Sequence, residues 1–205
     1  MASDTKLPAS AGEHYVCSML ARAGWAASLT RDGLARTDIL AVQSSAERQM
    51  IEVQVKTIRV GSWPLGRKGT SRRPARASGT CSCVSGRVPD RPETWVVPRD
   101  HVAAATWIGH MTWLNDPTAA PGMRNAGIES ARIGSEVWDR YADRWDLLDE
   151  PAADAPVMLP LWVHDGIEME GVGLPPDHPW HHGRPGSSSR RSPASAAPTG
   201  SLPPG

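Results

Sequence analysis

The sequence predicts a mixed α/β domain, a central sheet flanked by helices, with a helical extension behind it. Three stretches predict this. Ile51-Glu52-Val53-Gln54-Val55-Lys56-Thr57 alternates apolar and polar residues, the period of a strand. Just upstream, Thr37 to Val42 is rich in aliphatics and opens with a carboxylate at Asp38. Apolar residues at helical spacing flank this pair, in Tyr15 to Ala23 before it and His101 to Leu114 after it.

A chain of 205 residues has room for one domain with a sizeable core and for extensions around it. The 22 basic and 22 acidic residues balance, so any field that attracts nucleic acid has to be local. Cys17, Cys81 and Cys83 are an odd count with no disulfide framework, as suits a reducing compartment. No apolar run approaches a membrane span of ~18 residues, and the N-terminus carries no signal-peptide core. A cytoplasmic location is expected. The aromatic set is unusual, with nine Trp, two Tyr and no Phe.

Residues 1–9 read as a loose arm. Ser10-Ala11-Gly12-Glu13 has the form of a capping box, and Tyr15, Val16, Met19, Leu20 and Ala23 then mark one helical face up to Gly24. Trp25 to Thr30 reads as a strand and Arg31-Asp32-Gly33 as a turn. The two stretches around Gln43 to Gln49 then form an antiparallel hairpin. If Val42 lies opposite Ile51, Asp38 falls opposite Val55, between Gln54 and Lys56. An acid, an amide and an amine then converge on one patch, a set suited to a divalent metal and a water beside a phosphate. The bland alternative is a solvated strand face.

An Asp, a hairpin, then Gln54-Val55-Lys56 resembles the signature of the PD-(D/E)XK nuclease superfamily, which includes restriction enzymes and archaeal Holliday-junction resolvases. Gln54 stands where that family more often has Asp or Glu. The resemblance covers residues 10 to 100 and takes in the helical Gly12-Glu13 of the resolvase-like branch. It implies a restriction-endonuclease-like core and hydrolysis of DNA phosphodiesters with Mg²⁺ or Mn²⁺, with RNA as the other nucleic-acid substrate. Asp38, the Gln54 side-chain oxygen and the Val55 carbonyl would hold the metal; Glu52, on the same polar face, would serve as a displaced carboxylate ligand or would sit further from the metal, toward the hairpin tip. Lys56 would orient the attacking water and steady charge on the phosphate. Glu13 would reach the metal directly or through water, or would serve only as a capping glutamate. A non-catalytic nucleic-acid or protein-binding module on the same fold is the rival reading.

Between Glu52 and Asp90 there is no acid, while Lys56, Arg59, Arg67, Lys68, Arg72, Arg73, Arg76 and Arg87 are all basic. Hydrophobic periodicity fades among Gly, Ser and Pro. Residues 66–88 are therefore expected to form an irregular loop with no buried strand, leaving the sheet one strand short or bringing the Thr94–Val97 strand into the vacancy. One reading is a loop that grips phosphates. Another is a disrupted reading frame: regrouping the codon bases across Ala77 to Gly86, with serine codons suitably chosen, spells Glu-Trp-Tyr-Leu-Phe-Val-Arg-Leu-Gly, a good strand. Cys81-x-Cys83 has no second ligand pair to make a structural zinc site.

Glu93 to Pro98 reads as a strand ended by proline, and His101 to Leu114 as a helix. After a Pro/Gly loop at 116–127, a second helix is expected from Ser135 with Val137, Trp138, Tyr141, Trp145 and Leu148 inward. The Trp residues then fill a core, the alternative being stacking on bases. The domain is expected over 10–149, a proline-rich extension over 150–182, and a disordered tail over 183–205, with His181 and His182 solvated.

Overall fold

Helix α1 runs over Lys6–Arg22, four residues before the expected cap at Ser10. Pro8 sits in its first turn, where a missing N–H costs nothing because no helical partner exists there. Ser10 is thus an exposed residue inside the helix, and the capping box is not formed. The helix stops as expected at Gly24, whose φ of +87° is left-handed. This computed structural model describes residues 6–30, 37–45, 48–58, 61–66, 79–85 (backbone course only), 92–120, 122–149, 151 and 154–167.

The main sheet is mixed, in the order β1-β2-β3-β5-β6. Strands β1 (Trp25–Leu29), β2 (Ile39–Gln43) and β3 (Met50–Ile58) form an antiparallel meander. Strand β5 (Gly79–Ser85) runs parallel to β3, and β6 (Glu93–Pro98) returns antiparallel to β5. A small second sheet pairs β4 (Trp63–Pro64) with β7 (Arg132–Ile133). Helix α1 packs on β1 and β3, while α2 (Arg99–Leu114) packs on β5, β6 and the short α3 (Leu161–Asp165).

Two expectations about the sheet are corrected. The hairpin register differs by one: Val42 lies opposite Met50, and Ala41 opposite Ile51. Gln43 N–H closes the hairpin on the Gln49 carbonyl at 2.9 Å, and left-handed Arg48 (φ 47°) takes up the turn. A one-residue slip exchanges the two faces. The predicted register would have set Asp38 directly opposite Val55, whereas the observed ladder ends at Ile39 opposite Val53.

The second correction is β5. Residues 79–85 form a strand where an irregular loop was expected, and the sheet is not short of one. Backbone donors and acceptors on β3 and β6 need partners whatever the side chains are, and Gly79–Ser85 supplies them. Residues 67–78 and 86–91 lie outside the described residues, and with them most of the basic run.

The core forms where α1 meets the sheet and where α2 covers the other end. Val16, Leu20, Ile39, Ala41 and Val53 are fully buried on the first side, with Ile51 beside them. Each large aliphatic there contributes about 1.5–3 kcal/mol relative to exposure. Val102, Ala104, Ala105 and Ile108 bury the inner face of α2. Trp25, Trp63, Trp95 and Trp138 are core residues, whereas Trp113 and Trp162 are 40% and 43% exposed.

No α-helix begins at Ser135. Three 3-10 turns replace it, over Ser135–Val137, Asp139–Tyr141 and Trp145–Leu148. The edge of β6 draws this chain out of a helical path. Ala142 bridges to Trp95, Asp143 N–H donates to the Thr94 carbonyl at 2.9 Å, and Asp143 is left-handed (φ 52°). Val137, Trp138, Tyr141 and Leu148 are buried all the same, and Trp145 partly so. Tyr141 pins the segment: its hydroxyl meets His101 Nδ1 and accepts Met158 N–H, each at 2.9 Å. Burial raises the pKa of that phenol well above its usual range, so it stays neutral. The expected tail at 183–205, like His181 and His182, lies outside the described residues.

Candidate active site

Alternation along β3 puts Ile51, Val53 and Val55 on the face toward α1 and Glu52, Gln54 and Lys56 on the other. At the start of β2 the chain leaves the regular ladder. Asp38 N–H donates to the Val53 carbonyl at 2.9 Å, and Asp38 Oδ2 accepts Val55 N–H at 2.7 Å. The Asp38 carboxylate is thereby fixed against the Gln54–Lys56 segment.

Each polar residue of β3 has a distinct setting. Gln54 is nearly buried, at 7% exposure. Lys56 is half-buried, and its carbonyl accepts Trp63 Nε1–H at 3.2 Å, which fixes its backbone under the fully buried Trp63 indole. Trp63 meets Trp95 edge-on, centroids 5.2 Å apart, so the anchor is itself held in the core. Glu52 lies opposite Leu40, on the hairpin-tip side of Gln54, and its Oε2 accepts the Thr37 hydroxyl at 3.0 Å, which ties it to the residue next to Asp38.

Glu13 belongs to α1, where that helix comes closest to β3. A Cβ on Gly12 would lie 2.0 Å from Thr57 Oγ1, so glycine is what permits the approach. Glu13 is half-buried there, beside the residue that follows Lys56 in β3. One turn on, burial and then the Glu13 charge raise the Cys17 thiol.

The parallel register sets Cys81 beside Gln54 and Cys83 beside Lys56. The Asp38 and Glu52 carboxylates, the Gln54 amide and the Val55 carbonyl each present oxygen donors. Hard cations such as Mg²⁺ and Mn²⁺ take such donors and keep several waters. Among the described residues no group of three or more His, Cys, Asp and Glu side chains is gathered for a metal.

Sequence reasoning missed Thr30 and Thr37. Thr30 N–H donates to the Asp38 carbonyl at 2.8 Å, and its hydroxyl donates to the Thr37 carbonyl. Their one sequence signal is a threonine on either side of the stretch 31–36, where the sequence predicts a turn at Arg31-Asp32-Gly33. No helix among the described residues is long and apolar enough to cross a membrane.

No family model and no curated protein matches this chain. Among solved structures it is similar to a bacterial homing endonuclease, I-Ssp6803I, at 13% identity over 71% of this chain and 93% of that one, with a TM-score of 0.41.

Proposed function

We propose that the chain is a nuclease that hydrolyses DNA phosphodiester bonds with a divalent cation, in the manner of the PD-(D/E)XK enzymes its sequence resembles. The observation that carries this reading is the Asp38 carboxylate seated on Val55 N–H, between Gln54 and Lys56. Asp38, Gln54, the Val55 carbonyl and Glu52 would hold Mg²⁺ or Mn²⁺, which supplies a Lewis acid and a more acidic water. Lys56 orients that water by hydrogen bonding and stabilises charge gathering on the phosphate oxygens. In hydrolysis the water oxygen bonds to phosphorus, one ester P–O bond breaks, and the leaving alkoxide takes up a proton. Gln54 brings no negative charge, so the cation is held more weakly than by two adjacent carboxylates.

A second reading has its own observation. Gln54 is neutral and 93% covered, which suits a fold that binds nucleic acid or protein without cutting.

Purified protein incubated with plasmid, junction, single-stranded DNA and RNA, with Mg²⁺ or Mn²⁺ and with chelator, separates the two. Metal-dependent cleavage that disappears in Lys56→Ala is expected. That variant should melt within about 0.5 kcal/mol of wild type, since a partly exposed lysine contributes little packing. Binding without cleavage of any of the four substrates would support the second reading instead.

A further inference from the structure

We infer that Thr37 is a positioning residue, which turns Glu52 into the second carboxylate of the site. The inference rests on the nuclease reading above and assigns Glu52 the charge that Gln54 lacks. Thr37 is nearly buried, 3% exposed, and its hydroxyl donates to Glu52 Oε2 at 3.0 Å. Its own backbone is immobilised. Thr30 donates through its hydroxyl to the Thr37 carbonyl and through its N–H to the Asp38 carbonyl, the latter at 2.8 Å. Asp38 is fastened in turn to Val53 and Val55 of β3.

The consecutive residues Thr37 and Asp38 thus each control one carboxylate. Asp38 carries its own, and Thr37 steers that of Glu52. The Thr37 hydroxyl draws the Glu52 carboxylate toward the residue that precedes Asp38, although the Glu52 backbone lies opposite Leu40. A carboxylate oxygen that accepts one hydrogen bond keeps a lone pair for a cation. Hydrogen bonds to ligating carboxylates orient them, and their loss lowers metal affinity by about 10–100-fold.

The test is Mn²⁺ binding to the full chain without DNA, followed by calorimetry and by the loss of the free-ion paramagnetic resonance signal. Thr37→Val should bind Mn²⁺ about tenfold more weakly. Thr37→Ser, which keeps the hydroxyl, should stay close to wild type. Glu52→Gln should lose at least as much as Thr37→Val, and combining the two should add nothing further. Wild-type affinity in Thr37→Val, or additive losses in the pair, would overturn the inference. Should Thr37→Val not fold, Glu52→Gln decides alone, and unchanged binding there rejects the role. Asp38→Asn separates this from the wider reading. If it loses Mn²⁺ while Thr37→Val does not, the metal site stands and the role of Thr37 falls. If wild type takes up no Mn²⁺, both fall together.

Discussion

Asp38 holds both peptide groups that flank Gln54. Its N–H donates to the Val53 carbonyl at 2.9 Å, and its carboxylate accepts Val55 N–H at 2.7 Å. The same side chain therefore serves the fold and the proposed chemistry, and two substitutions separate those duties. Asp38→Asn keeps an acceptor for Val55 N–H and removes the charge. Asp38→Ala leaves that donor without its acceptor. Urea denaturation should show a loss of about 1–3 kcal/mol for the alanine variant and a smaller one for asparagine. Both should lose cleavage. Equal stability of the alanine variant and wild type would mean that the bond supports nothing.

Gly12 should tolerate no side chain. A Cβ there meets Thr57 Oγ1 at 2.0 Å, and Thr57 lies on a central strand that cannot retreat. Gly12→Ala is expected to cost about 1–3 kcal/mol from overpacking, which outweighs alanine's better helix propensity of about 1 kcal/mol. Thr57→Ala removes the obstructing oxygen. The double variant should recover most of the loss, a coupling measurable in a double-mutant cycle. Additive costs would place the strain elsewhere.

The sequence made the meander, the Glu93–Pro98 strand and the following helix legible because their patterns are local. Ile51, Val53 and Val55 alternate, and Pro98 punctuates the step from β6 to α2. What it hid depends on contacts distant in the chain. The hairpin register turns on Gln43 meeting Gln49 and on a left-handed Arg48, neither of which hydrophobic spacing specifies. The 135–148 segment has a helical apolar pattern, yet pairing of Ala142 and Asp143 with Trp95 and Thr94 overrides it. Burial of Val137, Trp138, Tyr141 and Leu148 was legible even though their backbone was not. Of the candidate site, the residue types could be read, but the Thr30–Thr37 clasp could not. Those threonines touch Asp38 and Glu52 only once the strands are paired.

Cys17 reports on the charge of Glu13. Burial first, and the Glu13 carboxylate second, raise its thiol pKa, so less thiolate is present at a given pH. Alkylation of the Cys17 peptide, followed by mass spectrometry, should therefore rise at a higher pH than for an exposed thiol. Removing the charge lowers the thiol pKa, so Glu13→Gln should move the rate profile toward lower pH without abolishing the burial part. An unmoved profile would show that the Glu13 carboxylate does not act on α1's inner face.

The last prediction concerns β5. Gly79–Ser85 lies between β3 and β6, an interior position of the sheet where strands are ordinarily aliphatic. Gly79, Ser82 and Ser85 bring little apolar surface to it, and glycine weakens a strand by its backbone entropy. The strand coincides with the stretch, Ala77 to Gly86, whose shifted reading frame spells Glu-Trp-Tyr-Leu-Phe-Val-Arg-Leu-Gly. That alternative offers Trp, Tyr, Leu, Phe and Val to the same sheet position. Each large side chain that becomes buried would contribute about 1.5–3 kcal/mol. Replacing the segment with the shifted reading should therefore raise the melting temperature and the soluble yield. Reading the gene's DNA decides first whether its third-position bases permit that frame. Codons that spell something else, or a replacement that melts no higher than the chain as it stands, would dispose of the frame disruption. Gly79–Ser85 would then be the strand this fold uses, held by its backbone pairing to β3 and β6.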